Sequence, residues 1–210
     1  TRAEAGLPAS GIVFCCFNNN YKITPAVFDV WMRLLKAVPG SVLWLFEDCP
    51  GAAENLRHEA VRRGVDGARL VFAARMDRPE HLARHRAADL FLDTLPYNAH
   101  TTASDALWAG LPVLTRAGES FAGRVGASLL TAAGLPDMIT TSSKAYEDLA
   151  VALATQPEKL ADIKYTLAGA RLTCPLFDLP RFTRHMEAAY SAMYERYQAD
   201  QPPDHIVIKA

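Results

Sequence analysis

The segment 89–114 reads DLFLDTLPYNAHTTASDALWAGLPVL, and it decides the fold of this chain. The apolar run over 89–93 predicts a buried strand, and after a short turn a helix opens on the hydroxyl residues Thr101 and Thr102. The start of a helix offers free backbone N–H groups and the positive end of the helix dipole, so it favours an anion such as a phosphate. Asp105, one turn inside, could accept hydrogen bonds from a ribose. An ordinary capped helix explains this segment equally well when it is taken alone.

Apolar strands alternate with amphipathic helices through the first two thirds of the chain. Because the strands are apolar throughout, both of their faces are buried, which is typical of parallel sheets built from βαβ units. We therefore expect an α/β fold with a Rossmann-like, doubly wound parallel sheet. Strands are predicted over 11–17, 41–46, 69–73, 89–93, 111–114 and 137–139, and helices over 25–38, 52–64, 79–87, 121–134 and from Thr101 onward.

Beyond residue 139 the sequence predicts helices only. The last long helix is predicted over about 179–199, and a stripe of large apolar side chains at helical spacing predicts a face that packs on a core. The stripe consists of Phe182, Met186, Tyr190, Met193 and Tyr197. This divides the chain into a Rossmann-like lobe over 1–177, a long helix over 178–200 that packs back on the lobes of the enzyme, and a surface tail over 201–210.

Composition excludes several classes of protein. The 210 residues are 50% hydrophobic, so disorder is not expected. A net charge of −1 makes no electrostatic case for nucleic acid or an anionic membrane, and no apolar run approaches the ~20 residues of a membrane helix. The four cysteines lack metal or disulfide spacing, which predicts reduced thiols and a cytoplasmic location. Because the chain begins at Thr1, we expect a segment of a longer protein.

The loops that follow the strands are where a doubly wound sheet binds its ligand. They are the segments 18–22, 47–49, 74–81 and 94–102. The first carries neither the glycine fingerprint of dinucleotide-binding folds nor a P-loop, which makes a nicotinamide dehydrogenase a poor interpretation. Lys22 stands beside the expected anion site and could neutralise a pyrophosphate, the alternative being a solvated surface lysine.

The segment 75–81 suggests contacts to a nucleoside. His81 could stack on a base, while Arg78 and Arg84 could hold a ribose or the edge of a base. His81 and His85 also have the spacing of a metal pair, but no third ligand follows at a persuasive spacing. No Asp-x-Asp pair occurs in the chain, and this favours binding of a diphosphate without a metal.

Several further motifs occur in order along the chain. They are Tyr21-Lys22-Ile23, VPGSVLWL over 38–45, His100-Thr101-Thr102 with Asp105 and LWAG over 107–110, Tyr146-Glu147-Asp148, Pro175-Leu176-Phe177 and Pro203-Asp204-His205. From about residue 12 to the tail, the chain resembles the C-terminal half of the catalytic region of the O-linked N-acetylglucosamine transferases, in a bacterial-type form. The resemblance implies the C-terminal, nucleotide-binding lobe of a GT-B glycosyltransferase, followed by helices.

The resemblance also implies roles for individual residues. Lys22 is similar to the catalytic lysine that binds the diphosphate and stabilises the UDP leaving group. Asn19 stands where the family usually has glutamine, and Arg78 where it often has lysine. His81 would stack on uracil beside Arg84, and Met76 would offer its backbone to the base. The diphosphate and sugar would lie against His100, Thr101 and Thr102, with Asp105 on the ribose.

The activity implied is the inverting, metal-independent transfer of N-acetylglucosamine from UDP-GlcNAc to Ser or Thr hydroxyls, with no cofactor. The partners implied are UDP-GlcNAc, a protein or peptide acceptor, and the missing N-terminal lobe and helical repeats in the same or a companion chain. Two alternatives remain open. One is another GT-B enzyme that uses UDP-GlcNAc, such as an epimerase or a transferase to lipids or small molecules. The other is a non-catalytic nucleotide-binding module.

Overall fold

A computed structural model describes residues 1–208 as a six-stranded sheet whose neighbouring strands are all parallel. The strand order is β3-β2-β1-β4-β5-β6, the order of a doubly wound nucleotide-binding sheet. This confirms the α/β, Rossmann-like prediction. The strands are β1 Val13–Cys16, β2 Val42–Phe46, β3 Leu70–Ala73, β4 Leu90–Leu92, β5 Val113–Arg116 and β6 Ile139–Thr140.

Within residues 1–208, eight α-helices connect and follow the strands. They are α1 Pro25–Ala37, α2 Pro50–Arg62, α3 Arg78–Arg84, α4 Thr101–Trp108, α5 Val125–Ala132, α6 Ser143–Thr155, α7 Pro157–Ala170 and α8 Leu179–Gln198. Short 3-10 turns occur at Asn20–Lys22, Gly67–Arg69, His85–Ala87 and Pro136–Met138.

Three predicted boundaries were wrong, each for a local reason. The strand predicted over 111–114 is Val113–Arg116, because Leu111 N–H closes α4 on Ala106 O and Pro112 has no N–H. The helix predicted over 121–134 begins only at Val125, because the N–H of Gly118 bonds the carbonyl of Gly123 and closes a turn there. The strand predicted over 137–139 is mostly a 3-10 turn.

The core lies on both faces of the sheet. Every residue of β1 is buried, as a strand between two layers of helices requires. The predicted apolar face of α1 packs inward, and Trp31 and Leu34 are fully buried there. Helix α6 covers the same face, where an Arg33–Glu147 ion pair joins it to α1. These layers fix the carboxyl ends of β1 and β4 beside each other.

Helix α8 is exposed along its length in this chain. The predicted stripe forms one face, yet none of the residues Leu179–Gln198 is buried, and Tyr197 is 74% exposed. That this helix packs back on the lobes of the complete enzyme stays a prediction.

The segment 201–208 has no regular secondary structure and turns back along the end of α8. Arg196 donates a hydrogen bond from Nη2 to the carbonyl of Pro202 at 2.7 Å, which holds the tail there. Lys209 and Ala210, which belong to the predicted tail, lie outside the described residues.

The four cysteines are free thiols, as expected, whereas the cytoplasmic location inferred from them stays a prediction. None of the helices within residues 1–208 combines the length and apolar character that a membrane crossing requires.

Gly126, at the start of α5, offers a test of packing beneath β4. A Cβ there would lie 2.6 Å from Asp93 Oδ2 and from Thr115 Oγ1. Gly126→Ala should therefore lower the free energy of unfolding by about 1–3 kcal/mol, measured by urea denaturation. Gly169→Ala on α7 is the matched control, because a Cβ there meets nothing within 4 Å and alanine favours a helix. Equal stabilities of the two variants would contradict this packing.

Candidate active site at the carboxyl edge of the sheet

The site lies at the carboxyl ends of β1 and β4, where the sheet changes winding direction and leaves a crevice. The buried side chain of Asn18 joins the segments that meet there. Its Nδ2 donates to Thr94 Oγ1 at 2.9 Å, and its Oδ1 accepts the hydroxyl proton of Thr102. Asn18 therefore ties the loop after β1 to the loop after β4 and to the first turn of α4.

A cleft of about 370 Å³ opens beside Asn18. Five of the predicted site residues line it, although they come from three separate segments of the chain. Its lining residues are Phe17, Asn19, Phe46, Asp48, Arg75, Met76, His81, Arg84 and Thr102. The mixture of aromatic, cationic and amide groups suits a planar polar ring.

Arg84 and His81 form one wall of the cleft. The Arg84 guanidinium lies 4.5 Å from the centre of the Phe17 ring, donates to the carbonyl of Ala74 at 2.7 Å and donates to His81 Nδ1 at 2.6 Å. Burial, and then the charge of Arg84, lower the pKa of His81 to about 4. His81 is therefore a neutral ring at physiological pH, with its proton on Nε2.

Lys22 ends a 3-10 turn directly after β1. Its Nζ donates to the carbonyl of Asn98 at 2.9 Å and lies 3.8 Å from the centre of the Tyr97 ring. Partial burial lowers the pKa of Lys22, and the negative charge of Asp93 acts in the opposite direction. The Lys22 ammonium group thus contacts the backbone two residues before the N-cap position of α4.

Helix α4 begins at Thr101, as the hydroxyl-headed segment predicts. No side chain caps it, and its first internal bond runs from Ser104 N–H to the carbonyl of His100. The amides of the first turn therefore face a prospective ligand. Thr101 is exposed, and His100 lies between Tyr97 and Phe121.

Thr102 differs from expectation in one respect. Its hydroxyl proton is engaged by Asn18, so the side chain is not the free donor that the sequence suggested. Its backbone N–H stays in the uncapped first turn of α4.

Asp105 lies one turn into α4, with only 17% of its side chain exposed. Its Oδ1 is 3.3 Å from Arg78 Nη2, and the Arg78 side chain is 74% exposed. The structure therefore brings these two predicted ribose residues together across the mouth of the site. The pair is open to solvent on the Arg78 side.

Sequence reasoning missed two polar residues under the site. The Asp93 carboxylate is buried and accepts hydrogen bonds from Thr94 N, Ala99 N and Thr115 Oγ1. The fully buried Asn98 donates from Nδ2 to the carbonyl of Thr94 at 2.7 Å. A carboxylate that closes an otherwise apolar strand was the signal available, since such a group needs internal partners.

The possible metal pair is engaged otherwise. His85 is buried, and its Nδ1 lies 2.8 Å from the carbonyl of His81. Residues 1–208 contain no cluster of three or more histidine, cysteine, aspartate or glutamate side chains suited to a metal ion.

Comparison with known proteins identifies the family, because the sequence matches the family named glycosyl transferase family 41 over residues 1–186. The chain belongs to that family. A UDP-N-acetylglucosamine--peptide N-acetylglucosaminyltransferase of Caenorhabditis elegans is 39% identical over 206 residues, covering 98% of this chain. A probable enzyme of the same description from Arabidopsis thaliana, SEC, is 40% identical over 209 residues, covering 99% of this chain.

Among solved structures, a mutant of the Thermobaculum terrenum O-GlcNAc transferase superposes with a TM-score of 0.84 at 36% identity, over 89% of this chain. The resemblance to O-GlcNAc transferases and the GT-B lobe are thereby confirmed. This family 41 chain spans 18% and 21% of the two curated relatives and 37% of the solved chain. Much of a family 41 enzyme thus lies outside these 210 residues.

The His81–Arg84 contact gives a test of this wall of the cleft in the family 41 lobe. Arg84→Met removes both a positive charge and a hydrogen-bond donor, so the pKa of His81 should rise from about 4 toward 6.5. NMR titration of the histidine rings measures the pKa and the tautomer together. Arg86→Met is the control, because Arg86 is exposed and should leave His81 unchanged. A His81 that titrates near 6.5 in the unmodified chain would rule out this arrangement.

Proposed function

We propose that this lobe binds the UDP portion of UDP-GlcNAc, and that the complete enzyme transfers N-acetylglucosamine to Ser or Thr hydroxyls of proteins. One observation carries the proposal. The Lys22 ammonium group and the uncapped start of α4 converge beside a cleft of about 370 Å³. The ammonium group and the helix start suit a pyrophosphate, and the cleft suits a nucleobase.

The contacts suggest an orientation for the nucleotide. Uracil enters the cleft and stacks on the neutral ring of His81, with Arg84 behind it and the backbone of Met76 at its edge. The ribose reaches Asp105 and displaces Arg78 from the carboxylate. Asn19, at the rim of the cleft, is the remaining polar contact to the nucleotide.

The diphosphate then lies between the amides at the start of α4 and the Lys22 ammonium group. His100 and Thr101 flank it toward the sugar. A side chain on one loop and backbone dipoles on another therefore meet the same pair of phosphates, because β1 and β4 are neighbours in the sheet.

The chemistry follows from where charge develops. An acceptor hydroxyl attacks the anomeric carbon from the face opposite the phosphate and gives up its proton to solvent, the bond to the β-phosphate oxygen breaks, and configuration inverts. The negative charge that appears on that oxygen meets Lys22 and the helix-start N–H groups. Preorganised donors of this kind contribute roughly 3–4 kcal/mol each in other enzymes. In this proposal they take the part that a divalent ion plays elsewhere, so the transfer requires no metal.

The rest of the enzyme supplies what this lobe lacks. The C. elegans and A. thaliana relatives are named as peptide N-acetylglucosaminyltransferases, and this supports a protein acceptor here. A first lobe would cover the open side of the crevice, and helical repeats would recruit the acceptor. The cytoplasmic location expected from the free thiols belongs to the same proposal.

Asp105→Ala tests the ribose contact. The variant should weaken UDP binding about 10–100-fold, because hydrogen bonds to a charged group are worth about 1.5–3 kcal/mol each. Isothermal titration calorimetry of the chain with UDP measures this affinity. Asp162→Ala on α7 is the control, since Asp162 is exposed and far along the chain from the site. Unchanged UDP affinity in Asp105→Ala would disprove the ribose role.

Lys22→Ala tests the leaving-group contact. In a polypeptide that also carries the first lobe, turnover should fall at least about 100-fold, the usual cost of removing one preorganised charge donor. Peptide glycosylation from UDP-GlcNAc measures turnover, and circular dichroism checks that the fold is kept. Lys159→Ala, an exposed lysine on α7, should have no effect. Near-normal transfer by folded Lys22→Ala enzyme would exclude this assignment.

A further inference from the structure

The buried carboxylate of Asp93 closes the loop between β4 and α4 like a clamp. Its Oδ1 accepts from Thr94 N–H at 2.7 Å and from Ala99 N–H at 2.6 Å, so one oxygen holds both ends of the loop. Its Oδ2 accepts from Thr115 Oγ1 at 2.6 Å, which anchors the clamp to β5. The loop therefore has little freedom relative to the sheet.

Two residues of that loop contact the Lys22 ammonium group. The carbonyl of Asn98 accepts a hydrogen bond from Lys22 Nζ, and the Tyr97 ring packs against the same ammonium group. His100 then occupies the N-cap position of α4, one residue beyond the clamped Ala99 amide, without a side-chain cap. A single side chain thus positions both the cation and the helix start.

We propose that Asp93 is a positioning residue of the leaving-group site, whose oxygens hold the loop that presents Lys22 and α4 while its buried negative charge favours the ammonium form of Lys22. The leaving-group role in this inference rests on the proposed function. The coupling between the two charges can be measured without any nucleotide.

Burial in the fold favours the neutral form of Asp93 over its charged form. Burial raises the pKa of Asp93 from 3.8 to about 6, so the group is ionised at neutral pH at a cost to folding. Because the folded-state pKa lies above the unfolded one, this cost builds up as the pH rises from 3.8 to about 6 and is fully present above that pH. An asparagine oxygen could accept the same two N–H bonds without the cost. A carboxylate at such a position suggests that its negative charge serves the site.

Within the described residues, few other titratable groups face Asp93 and Lys22. Cys16 approaches from β1 and Tyr146 from α6, where its hydroxyl donates to the carbonyl of Asp93 at 3.1 Å. Burial raises the pKa of both side chains well above the ordinary values, so both are neutral near pH 7. Arg116 on β5 lines the cavity on the far side of Asp93. Lys22 is the cation on the ligand side.

Asp93→Asn removes the negative charge but keeps a side-chain oxygen that can accept the hydrogen bonds from the loop. The pKa of Lys22, followed by NMR of its Cε and Nζ, should fall in this variant, because a nearby opposite charge is removed. UDP affinity should then be lost at a correspondingly lower pH. Asp89→Asn is the control, since Asp89 is a hydrogen-bonded carboxylate at the opposite end of β4 and should leave Lys22 unchanged. An unaltered Lys22 pKa in Asp93→Asn overturns the inference.

The reciprocal variant covers the case in which Asp93→Asn does not fold. Lys22→Gln changes a partly exposed residue and should raise the pKa of Asp93 further above about 6, by the same amount, because coupling between two charges is mutual. NMR of the Asp93 carboxyl carbon measures it, and an unchanged value overturns the inference. A chain that binds no UDP yet shows both shifts would overturn the proposed function and leave the coupling of Asp93 and Lys22 intact.

Discussion

The Asp93 carboxylate is buried at the carboxyl end of β4 and is held there by two backbone amides and one hydroxyl. A buried charge of this kind is tolerated only when its partners are fixed. The loop 94–99 is therefore rigid, and α4 starts at a defined place. Lys22 finds its carbonyl acceptor in that loop. The electrostatics of the crevice thus depend on one interaction beneath its surface.

Much of the fold follows from local sequence. Strands such as β1 are apolar on both faces, and Thr24-Pro25 and Pro39-Gly40 mark the ends of α1, so a parallel sheet with right-handed crossovers was predictable. Errors arose where one hydrogen bond decided a boundary, as with the N–H of Leu111, which completes α4 instead of β5. Hydrophobic periodicity shows that α8 has an apolar face, but not which surface covers it.

The grouping of the site residues was predictable, because a parallel sheet brings the carboxyl ends of its strands to one edge. Lys22, His81 and Asp105 come from three segments, and the rule that ligands bind at the carboxyl edge was enough to group them. The supports beneath them were not predictable. Asn18 and Asn98 act through partners 76 and 28 residues away, and no spacing in the sequence indicates such contacts.

The central claim is that a uridine pyrophosphate lies across the cleft and the start of α4. A crystal structure of this chain with UDP tests it most directly. The account predicts phosphate oxygens within hydrogen-bond distance of Lys22 Nζ and of the Thr101 and Thr102 amides, with uracil against His81. A nucleotide bound elsewhere on the sheet, or a diphosphate that contacts neither Lys22 nor α4, would contradict it.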